Sequence, residues 1–155
     1  MKKDVRLAPF WKRLLSFALD ALVSYTFLIL PFVALFERSI PSDGYADLMS
    51  YLATHPTAVA SLNIISFFCI AMVMAYFVLL QYLLGATIGG LVARIKVVSL
   101  YPYPHWWQYI VRNLFLIPFV PFVLLWIIET ASLVWTKGEY RLLEKLSRTR
   151  TVANP

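Results

Sequence analysis

Charged side chains are scarce in this chain and absent from long stretches of it. They make up 14% of its 155 residues, and residues 56–93 contain none. Residues 14–36 and 113–136 each hold a single acidic residue and no basic one. A helix needs about 20 apolar residues to cross a hydrocarbon core of about 30 Å, so each run is long enough. This shortage of charge excludes an ordinary soluble domain and predicts that residues 1–155 form a single domain of an integral membrane protein.

Residues that bind metals or act as nucleophiles are few as well. Cys69 is the only cysteine, which excludes an intramolecular disulfide, and inside an apolar run a thiol usually packs as a small hydrophobic group. His55 and His105 fall on opposite predicted sides of the membrane and cannot form a metal site with Cys69. The aromatic cluster in residues 101–109 adjoins a hydrophobic run, which is typical of a membrane-interface belt and not of a nucleic-acid surface. Because the sequence shows no phosphate-binding glycine loop or paired nucleophile, we expect no enzyme activity, metal, cofactor or nucleic-acid partner.

The sparse charges are distributed unevenly, and their distribution predicts the topology. The segment before the first span, the linker after the second span and the tail of residues 137–155 are basic, whereas the loop of residues 37–55 is acidic. Positively charged loops stay in the cytoplasm. The N-terminus, the linker and the tail are therefore predicted to be cytoplasmic, with spans at about residues 14–36 and 59–84.

Proline interrupts the third apolar run. Three full spans would place the basic tail outside, so we predict that this run turns back. Pro118 and Pro121 lie near its middle, where a proline removes a helical hydrogen bond and clashes with the preceding turn. Residues 106–136 are predicted to form a broken helical hairpin that enters and leaves on the cytoplasmic side, shielded by the first two spans. A single kinked span with the tail outside is the alternative.

Two short segments have the composition of strands. Gly85, Gly89 and Gly90 end the second span, and residues 95–98 then alternate weakly and are rich in β-branched side chains. Residues 149–152 in the tail are similar, and two strands on the same side of the membrane can pair. The predicted fold class is thus all-α, with two transmembrane helices, a proline-broken helical hairpin and a short two-stranded β pairing in the cytoplasm.

Two acidic side chains in the apolar runs need partners. Arg13 and Asp20 are seven residues apart, so they share one face of the first span but are too far apart for direct contact. A charged group in the hydrocarbon costs about 2.5 to 3.5 kcal/mol on insertion scales, so we expect a base or hydroxyl from another segment to complete Asp20. Glu129 poses the same problem in the third run. Both carboxylates could serve ion translocation or a structural polar network, and candidate hydrogen-bonding partners are Ser61, Asn63, Ser66, Gln81 and Asn113.

Four short motifs follow one another along the chain. Residues 8–20 contain Arg13 and Asp20, and residues 85–89 contain Gly85 and Gly89, followed by the apolar-basic segment 95–98. Residues 107–113 contain Arg112 and Asn113, and residues 142–152 contain Glu144. Together these motifs resemble the bacterial RDD family, which is named for one arginine and two aspartates. Arg13 and Asp20 match the first two named positions, whereas Glu144 stands at the second aspartate and Arg94 replaces a usual glycine.

The resemblance implies a small multi-pass protein of the bacterial cytoplasmic (inner) membrane, with cation/proton exchange reported for some members. Our first hypothesis is therefore transport, with Asp20 as the protonatable carboxylate and Arg13 and Glu144 tuning it. Two full spans are too few to enclose a permeation pathway, and the sequence shows no internal repeat that would supply more. Transport would therefore require a homo-oligomer in the lipid bilayer.

The second hypothesis is a non-transporting scaffold or accessory subunit that binds another membrane protein. In it, Arg13, Asp20 and Glu144 form a structural clamp that joins the first span to the tail. Secondary candidates for functional residues under either hypothesis are Glu129, Arg112, Asn113, Gly85 and Gly89.

Overall fold

The structure is a computed structural model and describes residues 7–39, 45–118, 122–135 and 141–153. The chain divides into two compact units, one consisting of Met1–Leu22 with Met74–Pro155 and the other of Val23–Val73. The predicted predominance of helices is confirmed.

The first apolar run is helical, with one widened turn. It comprises α1 (Phe10–Ser24), a π-helical stretch (Tyr25–Ile29) and α2 (Leu30–Ser39). In the π-helical stretch the N–H of Leu30 donates to the carbonyl of Tyr25, five residues earlier. Pro31 follows directly and has no N–H to donate. A local change from α to π geometry is one way in which a membrane helix accommodates such a missing bond.

The second long helix is preceded by a shorter one. α3 (Tyr45–Thr54) lies in the loop that the charge distribution predicts to be outside, and the sequence analysis did not predict this helix. α4 (Pro56–Leu84) has 29 residues, which extend over about 44 Å. Phe77 and Gln81 are its buried residues, so most of its apolar surface is free to face lipid.

Two stretches of the described chain are long and apolar enough to cross a membrane. They are Phe10–Ala34, with a mean hydropathy of 1.9, and Pro56–Leu84, with a mean hydropathy of 2.3. Only 11% and 6% of their most apolar windows are buried, whereas the core helix of a soluble protein would be mostly buried. Both stretches coincide with the spans expected at about residues 14–36 and 59–84.

The third apolar run is broken into shorter helices. α6 (Trp106–Asn113) and a 3-10 turn (Leu114–Leu116) precede Pro118, and α7 (Phe122–Trp135) begins beyond it; Pro121 lies outside the described residues. α7 has 14 residues and is about 21 Å long, which is too short to cross the hydrocarbon core alone. The return of these pieces to the cytoplasmic side stays a prediction.

The two predicted strands pair, which confirms the expected two-stranded sheet. β1 (Ile95–Ser99) and β2 (Thr149–Ala153) are antiparallel, and Val97 faces Thr151 at the centre of the register. The N-terminal segment lies beside β2, where Ala8 donates its N–H to the carbonyl of Thr151 at 3.1 Å. The sheet thereby joins the beginning, middle and end of the chain.

Each strand ends a segment of the same construction. The first segment, residues 88–99, contains α5 (Ile88–Val92) and β1, and the second, residues 142–153, contains α8 (Leu142–Leu146) and β2. In each, five helical residues, a two-residue turn and five strand residues follow one another, and the residue before the strand is an arginine with positive φ. These arginines are Arg94, with φ 53°, and Arg148, with φ 49°. Because the register is centred on equivalent residues, the two segments form a local repeat that the sequence analysis did not detect.

Candidate functional site

Asp20 is buried on α1, with 2% of its surface exposed. Its Oδ1 accepts hydrogen bonds from the hydroxyl of Tyr76 at 2.7 Å and the N–H of Gly89 at 2.8 Å. Its Oδ2 accepts from the hydroxyls of Thr87 at 2.5 Å and Ser16 at 3.4 Å. The hydroxyls expected from other segments therefore come from α4 and from the residue that precedes α5. A carboxylate has about four acceptor sites, and four donors meet this one, so Asp20 anchors both elements to the first helix.

Gly89 allows the backbone of α5 to approach α1. A Cβ atom at this position would lie 2.2 Å from the carbonyl oxygen of Ser16 and 2.9 Å from Cγ of Asp20. Neither a backbone carbonyl nor a buried carboxylate with four partners can move away cheaply, so only glycine fits. Gly85 has a different role, since its φ of +71° forms the turn that follows α4.

Glu144 is held by two arginines that come from different helices. Arg13 on α1 donates to Oε2 at 3.2 Å, and Arg112 on α6 donates to Oε1 at 2.9 Å. Oε1 also accepts from the hydroxyl of Thr151 on β2, and Oε2 from the N–H of Arg141 at 3.4 Å. The Arg13–Glu144 contact proposed for the clamp is therefore present, although Arg112 and Thr151 share it.

The ionised form of Glu144 is strongly favoured. Burial disfavours the charged form, but Arg112, Arg13 and the hydrogen bond from Thr151 more than offset it, so the pKa falls from its ordinary value of 4.5 to about 2. Glu144 is thus a permanent negative charge at neutral pH. Arg13 and Arg112 place two guanidinium groups around this one carboxylate.

Both arginines also bind the sheet. Arg13 donates from Nε to the carbonyl of Ala8, beside the sheet, at 3.0 Å and from Nη2 to the carbonyl of Thr151 at 3.4 Å. Arg112 donates to the hydroxyl of Thr149 at 3.0 Å and to that of Thr151 at 2.6 Å. The cluster therefore fixes β2 against α1 and α6.

Glu129 binds the second segment as Asp20 binds the first. Its Oε1 accepts the N–H of Leu143 at 2.6 Å, and Leu143 is the second residue of α8 as Gly89 is the second residue of α5. First-turn N–H groups have no partner inside their own helix, and in both segments a buried carboxylate from a longer helix supplies one. The two segments are thus also equivalent in being held by a buried carboxylate, Asp20 for the first segment and Glu129 for the second.

These groups line a cavity of about 60 Å³, together with apolar side chains that include Phe17, Phe77 and Phe115. It offers space for a few water molecules. Among the described residues, no three His, Cys, Asp or Glu side chains are arranged to hold a metal ion. The charged residues that line the cavity are Arg13, Asp20, Arg112, Glu129, Arg141 and Glu144.

The structure separates some of the candidates that the sequence grouped. Arg13, Arg112 and Glu144 form one cluster, whereas Asp20 and Gly89 form a second that shares the cavity. Asn113 and Gln81, expected as partners of the carboxylates, instead bind each other, with Asn113 Nδ2 donating to Gln81 Oε1 at 3.1 Å.

The sequence analysis missed Tyr76, Thr87, Thr151 and Gln108. Gln108 is completely buried; it donates to the carbonyl of Ser147 at 2.9 Å and accepts from the hydroxyl of Ser99 at 3.0 Å. In the sequence, an amide side chain directly after two tryptophans, Trp106 and Trp107, could have indicated a buried hydrogen-bonding residue.

The family model that matches this chain is that of the RDD family, over residues 7–144. The chain belongs to the RDD family. The match begins at Leu7, which lies beside β2, and ends at Glu144, so it includes Arg13, Asp20 and every residue that lines the cavity except Thr151. No curated protein and no solved structure matches the chain. Membership of the RDD family, with two apolar helices that leave their surfaces exposed, identifies a membrane protein.

Proposed function

We propose that the protein exchanges protons for small cations across the bacterial cytoplasmic membrane, with the cavity lined by these charged residues as the place of exchange. The observation that supports this is the convergence of Asp20, Glu129 and Glu144 on one cavity. Ionisable side chains in membrane proteins commonly mark ion and proton pathways. Since the chain has two candidate spans in its described part, we expect the pathway to be completed by a homo-oligomer.

The three carboxylates differ in their suitability for proton exchange. Glu144 is held ionised by two guanidinium groups, and each oxygen of Asp20 has two donors. Glu144 is therefore suited to a fixed charge, and Asp20 to holding α4 and α5 against α1. We assign the exchange to Glu129, which is 7% exposed and has a main-chain N–H as partner, in place of the role first expected for Asp20.

Proton flux in proteoliposomes tests this assignment. We expect the wild type to acidify or alkalinise the lumen when a Na⁺ or K⁺ gradient is imposed, as read by an enclosed pH-sensitive dye. Glu129→Gln should abolish this flux while its thermal unfolding stays cooperative. Asp47→Asn is the matched control, because Asp47 is an exposed carboxylate on α3, and it should leave the flux unchanged.

Two results would overturn the proposal. An absence of wild-type flux under Na⁺, K⁺ and Li⁺ gradients would reject exchange itself. Full flux in Glu129→Gln would reject the assignment of the protonated group.

A scaffold function is the second candidate, and the Glu144 cluster favours it. Two arginines, one hydroxyl and one main-chain N–H from four places in the chain surround a single carboxylate. Such a cluster fixes the positions of α1, α6 and β2 whether or not ions move. Under this proposal the unit that contains this cluster binds another membrane protein.

Crosslinking in intact membranes followed by gentle detergent extraction separates the two candidates. A defined complex with a different membrane protein, lost in Glu144→Ala, supports the scaffold. A species that contains only copies of this chain and shows flux supports exchange.

A further inference from the structure

In the unit that contains the cavity, the exposed charged side chains of the described residues are all positive. Its described acidic residues, Asp20, Glu129 and Glu144, are all buried. Its described and exposed basic residues are Arg94, Lys96, Lys145 and Arg148. Within the described part of this unit, the surface therefore presents positive charge with no carboxylate to neutralise it.

Large apolar side chains are exposed on the same segments as these cations. Leu91 and Val92 on α5 are 50% and 65% exposed, and Leu146 on α8 is 58% exposed. Val98 is 44% exposed on β1, the strand that carries Lys96. A purely polar acidic partner offers no contact for such side chains, whereas the headgroup region of a bilayer accommodates both apolar and basic groups.

Arg94 and Arg148 stand where glycine would be less strained. Both have positive φ, a backbone region that costs a side-chain-bearing residue energy and that persists where function or the surrounding structure demands it. They occupy equivalent positions in the two segments. Arg148 also lies over the ring of Tyr101, with 5.3 Å from Cζ to the ring centroid, which places an aromatic side chain of the interface type beside the cation.

We propose that the surface formed by Arg94, Lys96, Lys145 and Arg148 binds the headgroups of anionic phospholipids. The exposed apolar residues of α5 and α8 enter the boundary between headgroups and acyl chains, and the basic residues bind the lipid phosphates. Because no pathway through the cavity is involved, this binding is independent of ion exchange.

Spin-labelled lipids measure such binding directly. The protein is reconstituted in phosphatidylcholine, and the motionally restricted fraction of spin-labelled phosphatidylglycerol is compared with that of spin-labelled phosphatidylcholine. We expect a preference for phosphatidylglycerol of about threefold or more, which high salt reduces. Changing all four basic residues to glutamine should remove the preference, whereas Lys96→Arg with Lys145→Arg, which keeps the charge, should retain it.

As a control, both variants should show a cooperative thermal unfolding transition, which demonstrates that they are folded before heating. If the four-fold variant does not fold, Arg94→Gln with Lys96→Gln should still reduce the preference measurably. Equal restriction of both lipids by the wild type would overturn the proposal. Tight binding of a single-stranded oligonucleotide without any lipid preference would overturn it as well and would assign the surface to nucleic acid.

Discussion

Glu144 should make the stability of the protein depend on pH in the acid range. Its folded-state pKa of about 2 lies below its ordinary value of 4.5. The stabilisation that it provides is therefore complete above about pH 4.5 and is lost as the pH falls through about 2. Thermal unfolding in detergent should show the midpoint temperature falling over this window, and the fall should be smaller in Glu144→Gln. Identical profiles for both proteins would contradict the charge-stabilised cluster.

Arg13 and Glu144 should be energetically coupled. Removing one partner of a buried ion pair typically costs about 3 to 5 kcal/mol, because the remaining charge is left without compensation. Arg13→Ala and Glu144→Ala are each expected to lower the free energy of unfolding in this range, and the double variant should lose less than the sum. Lys12→Ala, next to Arg13 but outside the cluster, is the control. Additive losses would show that the contact contributes no coupling.

At the scale of helices and strands, Gly89 sets how closely α5 lies against α1. Gly89→Ala should destabilise the protein by about 1 to 3 kcal/mol, because the added methyl group has no space. Gly90→Ala, in the same helix, should cost less, since its Cβ would lie 3.2 Å from the side-chain atom Thr87 Oγ1 and 3.5 Å from the nearest backbone oxygen, that of Ile95. Denaturant unfolding in detergent measures both, and an equal effect of the two substitutions would contradict the close approach at Gly89.

The sequence predicted the positions of the long helices and the strands better than the side-chain contacts between them. Apolar runs predicted the long helices, and β-branched alternation predicted both strands, because these signals are local. The partners of Asp20 were not identified individually, because Tyr76 and Thr87 resemble ordinary residues of an apolar run and its end. α3 was missed because its loop was interpreted only through its charge.

The repeat of the two segments was missed for a similar reason. Gly89 and Leu143 have no side-chain chemistry in common, yet both use a main-chain N–H to bind a buried carboxylate. Equivalent main-chain positions need not carry the same residue type, so the sequence does not reveal them. Arg94 and Arg148 are the exception, since both equivalent positions are arginine.

At the scale of the whole molecule, the side of the membrane on which α8 lies decides the topology. We predict that a membrane-impermeant thiol reagent labels Lys145→Cys only after the cytoplasmic face is opened, in a Cys69→Ala background. Asp47→Cys on α3 should be labelled from the outside without opening, and both positions are exposed in the structure. Labelling of Lys145→Cys from the outside would reject the hairpin and the cytoplasmic tail together.

Glu144 follows Arg13 by 131 positions, and Gly89 follows Asp20 by 69. Ribosomes add about 5 to 20 residues per second, so Arg13 waits roughly 7 to 26 s for its carboxylate to be synthesised. Asp20 has all its hydrogen-bonding partners once Gly89 is synthesised, before that interval ends, whereas Arg13 lacks Glu144 until its end. A nascent chain that stops before Glu144 therefore leaves Arg13 on α1 without the carboxylate that balances its charge.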